Sequence, residues 1–232
     1  MKRVLLKLSG EALAGDKGKG FDETTCGMVA DQVRQLVDSG LEVGVVIGGG
    51  NFWRGAGKAN MDRTRADQIG MLATVMNCIY VSEAFRNVGL ATTIMTPFAV
   101  GSFTELFSKD RVNTAFRHKK VVFFAGGTGH PYFSTDTGAV LRAVEIDADG
   151  ILLAKNIDGV YDSDPAIHPD ARRYDTISLE QVLAKKLQVI DLSASLMCQQ
   201  QKMPLYIFAL KEEGSIVAAA SGNFHGTIVT VD

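Results

Sequence analysis

Three cations stand where they could do chemistry. Lys7 follows the apolar run Val4-Leu5-Leu6 and opens the segment Lys7-Leu8-Ser9-Gly10. Arg54 lies four residues after Gly48-Gly49-Gly50, and Lys155 closes the run Ile151-Leu152-Leu153-Ala154. A cation just beyond a buried strand, in a mouth lined by glycine, is a natural clamp for phosphate oxygens, because charge-assisted hydrogen bonds to an oxyanion are strong and directional. A third glycine segment, Gly126-Gly127-Thr128-Gly129, follows Val121-Val122-Phe123-Phe124-Ala125. Glycine lets backbone N–H groups come close to a ligand, and a helix starting just beyond adds its positive end. One such segment often makes only a turn. Three of them after strands point to an anionic ligand. Lys7 and Arg54 fit the clamp better than a solvated edge, whereas Lys155 fits both equally.

The carboxylates each have a structural competitor. Asp67 lies near the start of a long helical pattern, where acids serve the dipole. Asp136 follows Ser134-Thr135 and could belong to a helix cap. Asp164 precedes Pro165, a common turn pair. Cys26, Cys78 and Cys198 are far apart and outside any CxxC pattern, and His118, His130, His168 and His225 are scattered. That spacing implies no disulfide framework, zinc site or histidine-rich metal site, and no nucleophile with an adjacent base. Two phosphate-binding motifs also fail. Gly57-Lys58 is followed by Ala59 and has Phe52 where the first glycine of a Walker A loop belongs. No GxGxxG after a strand has an acid about twenty residues on.

The elements that must hold these residues alternate along the chain. Apolar runs at Val4–Leu6, Val43–Ile47, Ala91–Met95, Val121–Ala125, Ile151–Ala154, Leu205–Ala209 and Thr227–Val231 are expected as strands. Helical patterns fall at Val29–Val37, Ala66–Phe85, within Ser102–Lys120, and at Asp136–Val144, Leu179–Lys186, Ser193–Gln201 and Ile216–Ala220. Ala66–Phe85 is apolar on most of its circumference and is expected to be buried on several sides. Ile157–Asp175 is expected as a loop. Strands alternating with helices imply an α/β fold with a mostly parallel sheet covered on both faces, whose ligands sit beyond the carboxyl ends of the strands. No repeat or domain boundary interrupts the 232 residues. Lys+Arg 24 against Asp+Glu 26 gives a net charge of −2, so no basic field advertises nucleic acid as a partner. The opening MKRVLLKLSGEALAG starts like a secretory signal, but Lys7 and Glu11 break it, and no stretch is long enough to span a membrane. A cytoplasmic protein is expected.

Taken together, the segments LLKLSGEAL (Leu5–Leu13), VGVVIGGGNFWRG (Val43–Gly55), DQIGMLATVMN (Asp67–Asn77), GGTGHPYFSTD (Gly126–Asp136) and DGVYDSDP (Asp158–Pro165) resemble the bacterial UMP kinases of the amino-acid-kinase superfamily. The resemblance runs through nearly the whole chain. It implies a three-layer αβα sandwich, the amino-acid-kinase (carbamate-kinase-like) fold, as one domain. Residues of about 1–120 would form mainly the UMP side and those of about 121–232 mainly the ATP side. It further implies that Lys7, Leu8, Ser9 and Gly10 line the ATP phosphates, with Gly50 and Arg54 also on the ATP side. Asn156, Tyr161 and Asp164 would contact the adenosine. UMP would be held by Gly49, Asp67 and the run Thr128, Gly129, His130, Pro131, Tyr132, Phe133, Ser134 and Thr135. Asp136 would organise the phosphate-binding cations, so that Lys7, Arg54 and Asp136 carry catalysis. Mg²⁺ would enter with ATP, held mainly by its phosphates. The loop Gly15, Asp16, Lys17, Gly18, Lys19 and Gly20 matches a region associated with activation by GTP. Inhibition by UTP, a homohexamer, and a place in pyrimidine nucleotide synthesis are implied as well. Two other outcomes stay open from the residues alone. One is a superfamily kinase acting on a carboxylate or carbamate, and the other is a non-catalytic nucleotide-binding protein on this fold.

Overall fold

A computed structural model describes residues 1–54 and 60–231. The strands are β1 (Arg3–Leu8), β2 (Glu42–Ile47), β3 (Thr92–Thr96), β4 (Glu105–Leu106), β5 (Val121–Phe124), β6 (Gly150–Lys155), β7 (Val160–Tyr161), β8 (Arg173–Tyr174), β9 (Thr176–Ser178), β10 (Leu205–Ala209) and β11 (Gly226–Thr230). Nine of them form one sheet in the order β4-β3-β5-β2-β1-β6-β10-β11-β9. Every neighbouring pair is parallel except β10 and β11. The central strands are buried along almost their whole length, which is why they are continuously apolar rather than alternating.

The helices are α1 (Gly10–Leu13), α2 (Glu23–Asp38), α3 (Arg63–Asn87), α4 (Lys109–Arg117), α5 (Thr135–Glu145), α6 (Leu179–Ala184), α7 (Leu192–Gln201) and α8 (Ser215–Ser221). Side chains of α2, α3 and α8 pack on one face of the sheet with Leu6, Val45, Phe123 and Phe208. Those of α4, α5, α6 and α7 pack on the other with Leu5, Val122, Leu153 and Ile207. The expected three-layer sandwich is therefore present. Helix starts follow local chemistry: the carboxylates or hydroxyls of Asp22, Asp62, Ser108, Ser134, Ser178 and Asp191 each accept a hydrogen bond from the backbone N–H three residues on.

Two expectations need correction, and one strand supplies the exception that a mostly parallel sheet allows. Within 157–175 the chain forms β7 and β8, a small antiparallel pair, instead of remaining a loop throughout. The pair is held from outside, since the Thr227 hydroxyl accepts from Val160 N–H at 2.9 Å and donates to the Tyr174 carbonyl. The last strand, β11, runs against its neighbour β10. Finally, α3 is not buried on several sides: Ile69, Leu72, Met76, Ile79 and Tyr80 are exposed on one of its faces. Among the described residues, that apolar face meets its own chain at Tyr80, which stacks on Phe21.

Candidate active site

Because β1, β2, β5 and β6 are parallel, their carboxyl ends emerge at one edge. The register, with Leu8 opposite both Ile47 and Ala154 and Val46 opposite Phe124, brings those ends level. All three glycine segments therefore meet there. Gly10 is required by close approach: a Cβ would collide with the Gly48 carbonyl and the Asn51 side chain. Gly126 is required by its backbone, at φ 79°.

Helix α3 fixes the loops to each other. The Asn77 amide donates to the Gly48 carbonyl at 2.6 Å and exchanges a reciprocal pair of hydrogen bonds with Asn51 at 2.8 and 3.0 Å. One turn earlier, the Thr74 hydroxyl accepts from Gly126 N–H at 2.8 Å. Asn51 also donates to the Gly20 carbonyl at 2.8 Å, joining the 15–20 loop to the same network. Asn51, Thr74 and Asn77 are buried polar groups with partners, which is what makes them precise supports. Sequence reasoning gave none of the three a role of its own.

At the mouth, Lys7 Nζ lies 2.7 Å from Asp136 Oδ1, with both side chains mostly buried. Asp136 sits in the first turn of α5, whose cap is the neighbouring Ser134, so the carboxylate is free to pair across the sheet edge. Lys155 ends the adjacent strand β6, and its ammonium donates to the Val189 carbonyl. Burial holds the Lys155 ammonium below the usual lysine range; Asp136 nearby opposes that shift and Lys7 adds to it. Asp191 completes the group. It caps α7 and accepts from the Ser134 and Thr137 hydroxyls. Burial opposes its ionisation, yet these hydrogen bonds hold its carboxyl below the usual range. Nothing local in sequence beyond a helix-cap pattern marked Asp191, because Ser134 is fifty-seven residues away.

Three cavities follow one another along this edge. The first, about 220 Å³, is lined by Gly49, Gly50, Asp67, Thr128, His130, Phe133, Ser134 and Thr135, among others. The second, about 460 Å³, begins at the next residue, Asp136, and includes Asp191. The third, about 490 Å³, contains Lys155, Tyr161 and Asp164 and shares Lys186, Leu187, Gln188 and Val189 with the second.

Other expected residues lie as follows. The Asp67 carboxylate accepts from Arg63 at 2.8 and 3.0 Å and from the backbone N–H of Tyr132 at 2.8 Å, so it anchors the 128–133 loop. Tyr132 takes φ 71°, and neither it, Gly129 nor Pro131 lines the first cavity. The Thr128 hydroxyl accepts from His130 N–H at 3.2 Å, shaping the turn. Arg54 pairs with Glu11 on α1 and lines none of the three cavities. The Leu8 side chain is fully buried, leaving only its main chain for a ligand. Ser9 precedes α1 at the strand end. Tyr161 donates to Asp158 at 2.8 Å; Asn156 is exposed beside the third cavity's wall residues Lys155 and Ile157. Asp164 accepts from Ala166 N–H at 2.9 Å, so its turn role and its place in the cavity coexist. Gly15–Lys17 form a single 3₁₀ turn, and Lys211 pairs with Asp16 at 3.0 Å. Gly55, Gly57, Lys58 and Ala59 lie outside the described residues.

The buried thiols stay out of the chemistry. Burial pushes Cys26 up to about 11 and Cys198 up to about 12, so neither supplies thiolate near neutral pH.

The fold is shared with solved kinases. The chain superposes on the UMP kinase of Bacillus anthracis with a TM-score of 0.95 at 34% identity, covering 100% of this chain and 96% of that one. For the UMP kinase of Ureaplasma parvum the TM-score is 0.93 at 33% identity, covering 99% and 98%. For the uridylate kinase of Archaeoglobus fulgidus it is 0.77 at 26%, covering 99% and 100%. The amino acid kinase family profile matches residues 2–209, and the chain belongs to that family.

Proposed function

We propose that the chain is a UMP kinase, which transfers the γ-phosphoryl group of ATP to the phosphate of UMP and releases UDP and ADP. The observation that carries this reading is the series of cavities along one sheet edge, with the Lys7–Asp136 pair beside its middle chamber. UMP occupies the first cavity, held by Gly49, Asp67 and the loop from Thr128 through Gly129, His130, Pro131, Tyr132 and Phe133 to Ser134 and Thr135. The adenosine of ATP occupies the third, against Asn156, Tyr161 and Asp164, and the phosphates lie between, over Lys7, Leu8, Ser9, Gly10 and Gly50. Each nucleotide thus draws on both parts of the chain: Gly49 and Asp67 join the 128–135 loop at the acceptor, and Lys7 to Gly10 and Gly50 join Asn156, Tyr161 and Asp164 at the donor.

The acceptor oxygen of UMP is already ionised at neutral pH, so the step needs no general base. The γ-phosphorus–oxygen bond to ADP breaks as the bond to the UMP oxygen forms. The chain's contribution is alignment and charge neutralisation. Asp136 holds the Lys7 ammonium toward the reacting phosphate, and Arg54 reaches the phosphates by releasing Glu11. Asp136 and Asp191, hard oxygen donors on the middle cavity, fit a Mg²⁺ ion carried in on the nucleotide phosphates. A Mg²⁺ ion held there would supply positive charge against the developing phosphoryl charge.

The same reading extends to a cytoplasmic enzyme of pyrimidine nucleotide synthesis that assembles as a homohexamer and is inhibited by UTP. Activation by GTP through Gly15–Gly20 is supported by the Gly20–Asn51–Asn77 hydrogen bonds, which tie that loop to the glycine triplet. Assembly is supported by the exposed apolar face of α3.

An ADP-release assay over UMP, CMP, acetylglutamate, aspartate, glutamate and carbamate tests the proposal. Selective turnover of UMP is expected. Selective turnover of a carboxylate or carbamate would replace this reading with another kinase of the family, and ATP binding without product over hours would replace it with a non-catalytic one. Lys7→Ala is expected to lower kcat by on the order of a hundredfold or more while the circular-dichroism spectrum is unchanged.

A further inference from the structure

The second and third cavities share only Lys186, Leu187, Gln188 and Val189, and Lys186 is the one charged residue among them. We propose that the Lys186 ammonium binds the phosphate chain of the donor nucleotide where it crosses from the third cavity to the second. The contact rests on the donor placement given above.

Its backbone fixes the side chain's point of departure. Helix α6 ends in a paired turn: Leu187 N–H donates to the Val182 carbonyl at 3.0 Å and Lys186 N–H to the Leu183 carbonyl at 3.1 Å. That pattern puts Lys186 at the left-handed position after the helix, with φ 55°. Glycine takes this position without strain, whereas a side chain there is strained. Lys119 after α4 and Lys202 after α7 take the same conformation, so the turn fixes where the Lys186 side chain leaves the chain, and its place between the cavities carries the assignment.

Its charge is also uncommitted. Among the described residues the Lys186 ammonium has no carboxylate or hydrogen-bond partner. Its neighbours differ: Lys155 is tied to the Val189 carbonyl, Lys185 to the Tyr174 hydroxyl and Lys7 to Asp136. An exposed, unpaired ammonium has no protein partner to give up on meeting a polyphosphate. A buried and already paired one has a partner to give up first.

The test separates the cation from the turn. Dissociation constants for ATP, KM for ATP and UMP, and Tm are measured on the full chain carrying Lys186→Gly, Lys186→Met or Lys186→Arg. Lys186→Gly is expected to raise Tm while weakening ATP binding about tenfold, the size of one charge-assisted contact. Lys186→Met is expected to weaken ATP binding equally, with KM for UMP unchanged, and Lys186→Arg to restore it. A higher Tm in Lys186→Gly with unaltered ATP binding in both the glycine and methionine variants would overturn the contact. If the wild-type chain still turned over UMP in that case, only Lys186 would be reassigned, to a helix-end role. A wild-type chain that binds no ATP overturns the contact and the donor placement together.

Discussion

Two lysines at the ends of adjacent strands flank one carboxylate, and their environments differ. Lys7 has Asp136 at 2.7 Å, whereas Lys155 is clamped on a carbonyl and held by burial below the usual lysine range. The sign of that shift sets a prediction. As pH rises, Lys155 gives up its proton before an ordinary lysine does, so the clamp on Val189 loses its charge first. The unfolded chain keeps that proton up to about pH 10.5. Between the two values the unfolded state binds more protons, and this group's contribution to stability rises with pH rather than falling. If the Lys155 charge also serves the donor phosphates beside Lys7, activity should decline on the alkaline side below the ordinary lysine range while Tm does not fall through this group. Lys155→Arg keeps the charge, and its pH–rate profile for kcat is expected to extend to higher pH. An alkaline limb at the same pH in Lys155→Arg and wild type would remove Lys155 from that role. Asp191 belongs to the same scale: fifty-seven residues from Ser134, its carboxylate joins the first turns of α5 and α7, accepting from the Ser134 and Thr137 hydroxyls and from Ala194 N–H.

Helix α3 is the element that turns strand-end glycines into one site. Asn77→Ala removes the donor to the Gly48 carbonyl and leaves the buried Asn51 amide short of a partner. It should cost about 2–3 kcal/mol, read as a lower urea midpoint at unchanged m. Thr74→Val keeps the volume but strands the Gly126 N–H, costing about 1–2 kcal/mol and raising KM for UMP more than KM for ATP. Equal changes in both KM values would mean that the two loops do not move separately. The elements themselves were legible in sequence because each obeys a local rule. Val43–Ile47 is apolar throughout because its strand is covered on both faces, and Ser178 caps a helix because its hydroxyl finds Gln181 N–H. Lys7 and the three glycine segments were legible for the same reason. Asn77 and Thr74 were not: inside a helical pattern they read as polar interruptions, and their partners at Gly48 and Gly126 are twenty-nine and fifty-two residues distant. The β7–β8 pair was hidden similarly, since two-residue strands carry no periodicity and Thr227 holds them from another element.

At the scale of the molecule, α3 presents two unlike faces. Small and polar side chains such as Ala73, Thr74, Asn77 and Cys78 turn inward, while Leu72 and Met76, at 53% and 47% exposure, head an outward stripe with Ile69, Ile79 and Tyr80. Spacings of three and four place these five on one side of the helix. The stripe misled the sequence reading of α3 as a helix buried within its own chain, because periodicity reports that a face is apolar and not what covers it. A contiguous apolar stripe of this kind marks an interaction surface in a soluble protein. Phe21 extends it, stacked on Tyr80 at 3.8 Å between centroids, and carries the link on to the 15–20 loop through the adjacent Gly20. A second copy laid on this stripe would therefore stand behind the helix whose inner face holds both glycine loops. The double substitution Leu72→Glu with Met76→Glu alters no inward contact, and should shift the sedimentation coefficient toward that of a single chain. It should also lower Tm in a concentration-dependent way, because assembly stabilises by mass action. Wild-type sedimentation in the double variant would show that copies, if they associate, do so through another face, and the coupling between assembly and the phosphate loops would lose its structural basis.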